Sequence, residues 1–184
     1  TTDGSIRCVS REHFGLELRK VGRARSWDYV LVEATGGSDP LPVAEGIALD
    51  DSRGTPISRY AQIDAMITVV DASSFFDHYA SADRLADRKL ATSATDKRSV
   101  VEVLVAQIEL ADVLVITKAD LVGEAQLSRL EAMLKKLNPR ARVVRGSAAE
   151  VPLSQLLDTG LFNFDVAREA LQPRRHLEQP DEPA

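Results

Sequence analysis

The sequence predicts an α/β protein with a mostly parallel sheet and helices on both faces. Three observations predict it. Short apolar runs at residues 29–32, 66–70 and 113–116 have the length and continuity of buried strands, and a fourth short strand is expected over 142–145. Helical-period stretches separate most of these runs, as crossover helices separate the strands of a parallel sheet. Polar groups suited to chemistry follow the runs directly: Glu33, Asp71, Thr117 to Asp120, and Ser147. Ligands of open parallel sheets sit at the carboxyl ends of the strands, so these groups are expected along one rim.

A chain of 184 residues is enough for one good core and short for two. Hydrophobic residues make up 44% and charged residues 28%, an ordinary globular profile. The net charge of −5 favours neither nucleic-acid phosphates nor an anionic membrane as a partner. No apolar run approaches the roughly 20 residues of a membrane span, and no signal-peptide pattern opens the chain. With one cysteine, Cys8, an intrachain disulfide is excluded, and a reducing cytoplasm is the simplest compartment. The first residue is Thr1 rather than Met, which places the expected true start upstream.

Taken in order, residues 1–8 (T-T-D-G-S-I-R-C) have turn composition and an isolated thiol. A helix is expected over 10–21, where Phe14, Leu18 and Val21 share a face, with Gly22 as its stop. The 29–32 run then delivers Glu33 to a strand's C-terminal end, immediately before Gly36-Gly37. A carboxylate there, ahead of glycines that allow close approach of backbone to ligand, is where nucleotide enzymes organise Mg²⁺ and water. The same residues also suit a plain buried strand ending in a solvated Glu and a turn. A short helix is expected over 43–49 and turns over 50–56. The second strand, 66–70, ends at Asp71, and residues 73–97 form a long, polar, partly helical excursion. Val101, Leu104, Val105 and Ile108 mark an amphipathic helix closing near Ala111. The third strand, 113–116, runs into T-K-A-D. Leu127, Leu130, Leu134 and Leu137 form a helix stripe stopped by Asn138-Pro139. After the fourth strand, 142–145, come Gly146-Ser147-Ala148 and a short helix over 151–157. Beyond Arg168 the composition is that of a linker or frayed tail.

The T-K-A-D string at 117–120 carries the most specific chemistry. The Asp120 carboxylate can accept hydrogen bonds from both N1–H and the exocyclic amine of guanine, a donor pair that adenine lacks. The stem of Lys118 can lie on a purine face with its ammonium outside. Asn is commoner than Thr at the first position of this pattern; Thr117 keeps a hydroxyl and loses the amide. The bland alternative is a strand end followed by a capping Asp and a solvated Lys.

At these residues the sequence resembles a family. E-A-T-G-G-S-D-P-L-P at 33–42 looks like the E-x-T-G-x-x-x-P-x-P segment of the CobW family of P-loop GTPases. M-I-T-V-V-D-A at 66–72, Q-I-E-L-A-D at 107–112, T-K-A-D-L at 117–121, L-N-P-R-A at 137–141 and L-L-D-T-G-L-F-N-F at 156–164 follow in the family's order. The excursion, with F-x-D-H-Y-x-S-A-D-x-L-x-D-R, is similar to the subgroup regarded as zinc-related metallochaperones.

The resemblance implies a three-layer, P-loop GTPase-like fold. It also implies GTP hydrolysis coupled to delivery of zinc or cobalt to a client protein. Glu33 would then act on the Mg²⁺ shell, and Gly36 would let its loop respond to the γ-phosphate. Thr117, Lys118 and Asp120 would line the guanine site, with the Ser147 and Ala148 backbone near its O6. On this basis residues 1–168 are expected to be a partial GTPase domain and 169–184 a linker.

Two departures shape these expectations. No G-x-x-x-x-G-K-[ST] string, the loop that cradles phosphates, occurs in the 184 residues, so a fragment with negligible hydrolysis of its own is expected. The family's G-C-I-C-C metal motif reads G-S-I-R-C at 4–8, leaving Cys8 with His13 or His78 as candidate donors for a weak site, or simply a packed thiol. The rival expectation is a degenerate, non-catalytic relative that acts as a protein-interaction module.

Overall fold

Three parallel strands, β1 (Ile67–Asp71), β2 (Val113–Thr117) and β3 (Arg142–Arg145), lie in the order β1-β2-β3. The computed structural model describes residues 11–24, 27–48, 60–91, 93, 95–146, 150–167 and 169. The α-helices are α1 (Arg11–Ala24), α2 (Pro40–Ala48), α3 (Phe75–Tyr79), α4 (Val100–Leu110) and α5 (Glu124–Leu137). The chain divides into two units, Thr1–Ala34 with Pro40–Ile63, and Thr35–Asp39 with Asp64–Ala184. The sheet belongs to the second.

The register sets Ile67 beside Val113, Asp71 beside Thr117, and Val113 beside Arg142. Side chains alternate across the pleat, so β2 feeds two cores at once. Leu114 and Ile116 join Val70, Ile108, Leu130 and Leu134 in the larger one, built with α3, α4 and α5. Val113 and Val115 join Val144 on the other face, against Val151, Leu156 and Leu161. Cover on this second face is uneven. Residues 151–161 supply it over β2 and β3, with a 3₁₀ turn at Leu153–Gln155 in place of the short α-helix expected over 151–157. Over β1 it is thin, for Val69 is 66% exposed.

Local chemistry explains where the helices begin and end. Ser99 and Glu102 form a capping box at the start of α4: Glu102 N–H donates to Ser99 Oγ (3.2 Å), and Ser99 N–H donates to Glu102 Oε2 (2.6 Å). The buried residues of α4 are Val103, Ile108 and Leu110; of the expected stripe, Ile108 is buried, Leu104 packs half-buried against the same core, and Val101 and Val105 are half-buried. In α5, Leu127, Leu130 and Leu134 are buried as their spacing predicts. Asn138 then ends the helix and ties three elements together. Its amide donates to the carbonyls of Ile108 (2.8 Å), Glu109 (3.1 Å) and Ala111 (2.8 Å). Its Oδ1 accepts from the N–H groups of Arg140 (3.2 Å) and Ala141 (3.1 Å). One buried side chain therefore satisfies the open end of α4 and the approach to β3.

In the first unit α1 packs on α2, with Leu18, Leu41 and Ala44 buried. The expected stop at Gly22 is not where α1 ends, since the helix continues to Ala24. Gly22 serves another purpose: a Cβ there would lie 2.6 Å from Tyr60 Cβ, so only glycine admits this close approach.

The expected strand over 29–32 is also corrected. These residues lie outside any strand, and Leu31 is 77% exposed. A strand exists through hydrogen bonds to a neighbour, and among the described residues the sheet contains β1, β2 and β3 alone. An apolar, β-branched run without a paired edge stays irregular however well its composition suits a sheet.

Candidate functional site

The carboxyl ends of β1 and β2 bring Asp71, Thr117 and Lys118 together. Asp71 and Thr117 are register partners, and the pairing continues past the strand end as Ala72 N–H donates to Thr117 O (3.0 Å). The Thr117 hydroxyl donates back to Val70 O (3.4 Å). Immediately after, Lys118 adopts φ 54°, a left-handed conformation uncommon for a residue with a side chain. Its ammonium donates to Asp71 Oδ2 at 2.7 Å.

Asp71 is held from its other side as well. Oδ1 accepts from Ser73 N–H (2.9 Å) and Ser73 Oγ–H (2.6 Å). Partial burial pushes this carboxyl up. The hydrogen bonds from Lys118 and Ser73, with the Lys118 charge, outweigh it and hold Asp71 well below the ordinary carboxylate range. The pair is a fixed, charged fitting across two adjacent strand ends, with 55% of the lysine side chain exposed. The ammonium of Lys118, expected to lie outside a purine face, is held by Asp71 in the structure.

Asp120 follows on a 3₁₀ turn, Ala119–Leu121, closed by Leu121 N–H donating to Lys118 O (3.1 Å). Its side chain is exposed on the same rim, free to meet a ligand. At the end of β3, Gly146 N–H donates to Ile116 O (2.8 Å), extending the ladder towards Ser147 and Ala148, which lie outside the described residues. Cys8 lies outside them too.

Glu33 belongs to the first unit, exposed and on a segment that is not a strand, so the expected delivery at a strand's C-terminal end is not what the structure has. Gly36 sits in a turn at 36–37 and is exposed, and a Cβ there would meet nothing within 4 Å. Close approach is required at its neighbour: a Cβ on Gly37 would lie 2.1 Å from Leu90 O.

Beside this turn a cleft of about 450 Å³ opens among β1, α3 and α4, with Asp71, Ser74, His78, Arg88 and Gln107 on its walls. His78, an expected metal donor, is half-buried there. Among the described residues no group of three or more His, Cys, Asp or Glu side chains is placed to hold a metal ion. No helix among them is long and apolar enough to cross a membrane.

Asp71 was legible on the rim without its partner, whereas Arg98 and Gln107, which donate to the carbonyls of the 36–38 turn, were not. The signal for Asp71 was its position one residue past an apolar run. For Gln107 it was a polar residue inside an apolar helix.

A parallel sheet with charged groups at its carboxyl ends is the class of α/β protein whose ligands sit along that rim. The family model for the CobW/HypB/UreG nucleotide-binding domain matches residues 1–145, and the chain belongs to that family. It is 36% identical over 169 residues to "Zinc-regulated GTPase metalloprotein activator 1" of Dictyostelium discoideum, a match covering 91% of this chain and 36% of the relative. To "Zinc chaperone CobW" of Pseudomonas aeruginosa it is 28% identical over 84% of this chain and 41% of the relative. To "Zinc chaperone YjiA" of Escherichia coli it is 25% identical over 82% of this chain and 40% of the relative. The chain thus spans 36–41% of the length of these relatives. No solved structure gives a significant match.

Proposed function

We propose that this chain is the guanine-recognising part of a cytoplasmic, GTP-binding and GTP-hydrolysing metallochaperone that delivers zinc or cobalt to a client metalloprotein. One observation carries the reading. Thr117, Lys118 and Asp120 stand at the carboxyl end of a parallel strand, with Lys118 fixed by Asp71 of the adjacent strand. Asp120 would accept from guanine N1–H and the exocyclic amine. The stem of Lys118 would lie along the base while Asp71 holds its ammonium, and the Ser147–Ala148 backbone would meet O6.

Glu33 would act near the phosphates, where its hard oxygen donors suit Mg²⁺ held by one or two carboxylates and the nucleotide itself. Bound there, Mg²⁺ would neutralise charge on the phosphates. Gly36, exposed in its turn, would register the γ-phosphate. Cys8, with His13 or His78, would be the donor set left for the metal cargo.

A second reading, a non-catalytic interaction module, is favoured by Ser5 and Arg7 in the metal motif. The experiment that separates the two extends the chain upstream of Thr1 by a strand and a G-x-x-x-x-G-K-[ST] loop, then measures GTP affinity and turnover. The enzyme reading expects Glu33→Ala to depress turnover far more than affinity. Equal losses of both, or no GTP binding by the extended chain, would contradict it. Titrating Zn²⁺ and Co²⁺ with and without GTP then tests the cargo.

A further inference from the structure

The turn after Glu33 is closed locally, with Ser38 N–H donating to Thr35 O (2.9 Å) and the two hydroxyls 2.8 Å apart. It is also held from outside. Gln107 Nε2, on α4, donates to Gly36 O (3.1 Å) and Ser38 O (3.0 Å). Arg98 Nη2 donates to Gly37 O at 3.3 Å. Three successive carbonyls are therefore taken by two side chains 61 to 71 residues downstream. Both donors of the Gln107 amide are in use, so the reversed amide would set oxygen against two carbonyls and is disfavoured.

Arg98 is itself pre-set. Asp96, with 5% of its side chain exposed, accepts from Arg98 Nε (2.9 Å) and Nη2 (2.7 Å). Arg98 ends a loop, residues 84–98, whose two ends are tied by the Arg84–Ser99 bridge and by Leu85 N–H donating to Arg98 O (3.0 Å). The tip of that loop, at Leu90 O, is where Gly37 makes its close backbone approach. The turn is thus gripped at its carbonyls by α4 and Arg98 and seated directly on the 84–98 loop.

We infer that Gln107 and Arg98 are positioning residues for the Thr35–Ser38 turn, and that through them the turn and the 84–98 loop move as one. The last consequence rests on the nucleotide reading above. A nucleotide that draws Gly36 towards its terminal phosphate would then displace the 84–98 loop with the turn, so that this loop reports which nucleotide is bound.

Hydrogen–deuterium exchange on the full chain tests this, first without nucleotide. Gln107→Met, which keeps length and removes both donors, is expected to speed exchange at 36–38 and 84–98 by roughly tenfold, the size expected from two lost neutral hydrogen bonds. Exchange in β2 should stay unchanged. Gly37→Ala, which forces the turn off Leu90, should speed exchange in 84–98 by the reciprocal route. Arg98→Met, which removes the donor to Gly37 O and the fork onto Asp96, should loosen both segments. Faster exchange in β2 to the same extent would mean general destabilisation and overturn the positioning role. A loosened turn beside an unchanged 84–98 loop would overturn the coupling. GTPγS with Mg²⁺ is then added to the parent extended upstream of Thr1. Binding with no change in 84–98 overturns the reporting role. Failure to bind overturns the nucleotide reading, while the ligand-free comparison still decides positioning and coupling.

Discussion

Asp71 and Lys118 show how one pair of side chains can fix the rim of a sheet across two adjacent strand ends. The left-handed backbone at Lys118 turns the chain sharply after β2, and the ion pair sets where its side chain goes. Because its partners hold the Asp71 carboxyl below its unfolded value, its contribution to stability is complete above the ordinary carboxylate value of about 4. It drains away as the pH falls from there towards the depressed native value. Urea unfolding of the parent and of Asp71→Asn should therefore differ most at neutral pH and converge in acid. The neutral-pH gap should be no more than about 1 kcal/mol, since the pair is half open to water. A gap that does not change with pH would mean that Asp71 acts through shape and not charge.

Among the elements, the joint at Asn138 holds the end of α4, the end of α5 and the approach to β3 together. Removing its side chain strands carbonyls at the end of α4 and two N–H groups before β3. Asn138→Ala should cost about 3 kcal/mol or more in chemical denaturation, each unsatisfied buried group costing about 1–3 kcal/mol. Leu130→Ala, at a fully buried position of α5, should cost about 2–5 kcal/mol. A loss below 1 kcal/mol at either position would contradict the packing described. The strands at 66–70 and 113–116 were legible in the sequence because burial selects continuous apolar runs, and α5 because its leucines keep one face. The run at 29–32 has the same composition, yet strand identity depends on a neighbouring edge that composition does not encode. Gly22 misled for a similar reason. Its role is set by Tyr60, 38 positions away, and not by the helix it occupies. Of the candidate site, T-K-A-D was visible as a string behind a strand. The Asp71–Lys118 and Gln107–turn contacts depend on pairings 47 to 71 residues apart and were not.

In the whole molecule, a three-stranded parallel sheet of the CobW/HypB/UreG nucleotide-binding family presents a charged rim, the one proposed above to read guanine. The second unit supplies Asp71, Thr117, Lys118 and Asp120 from two adjacent strand ends. The most direct measurement is competition binding of GTP, XTP and ATP to the chain extended by a phosphate-cradling loop, alongside its Asp120→Asn variant. The account predicts that the parent prefers GTP and that Asp120→Asn shifts preference towards XTP by at least about tenfold, because an amide can donate where the carboxylate only accepts. Unchanged GTP preference in the variant would contradict it.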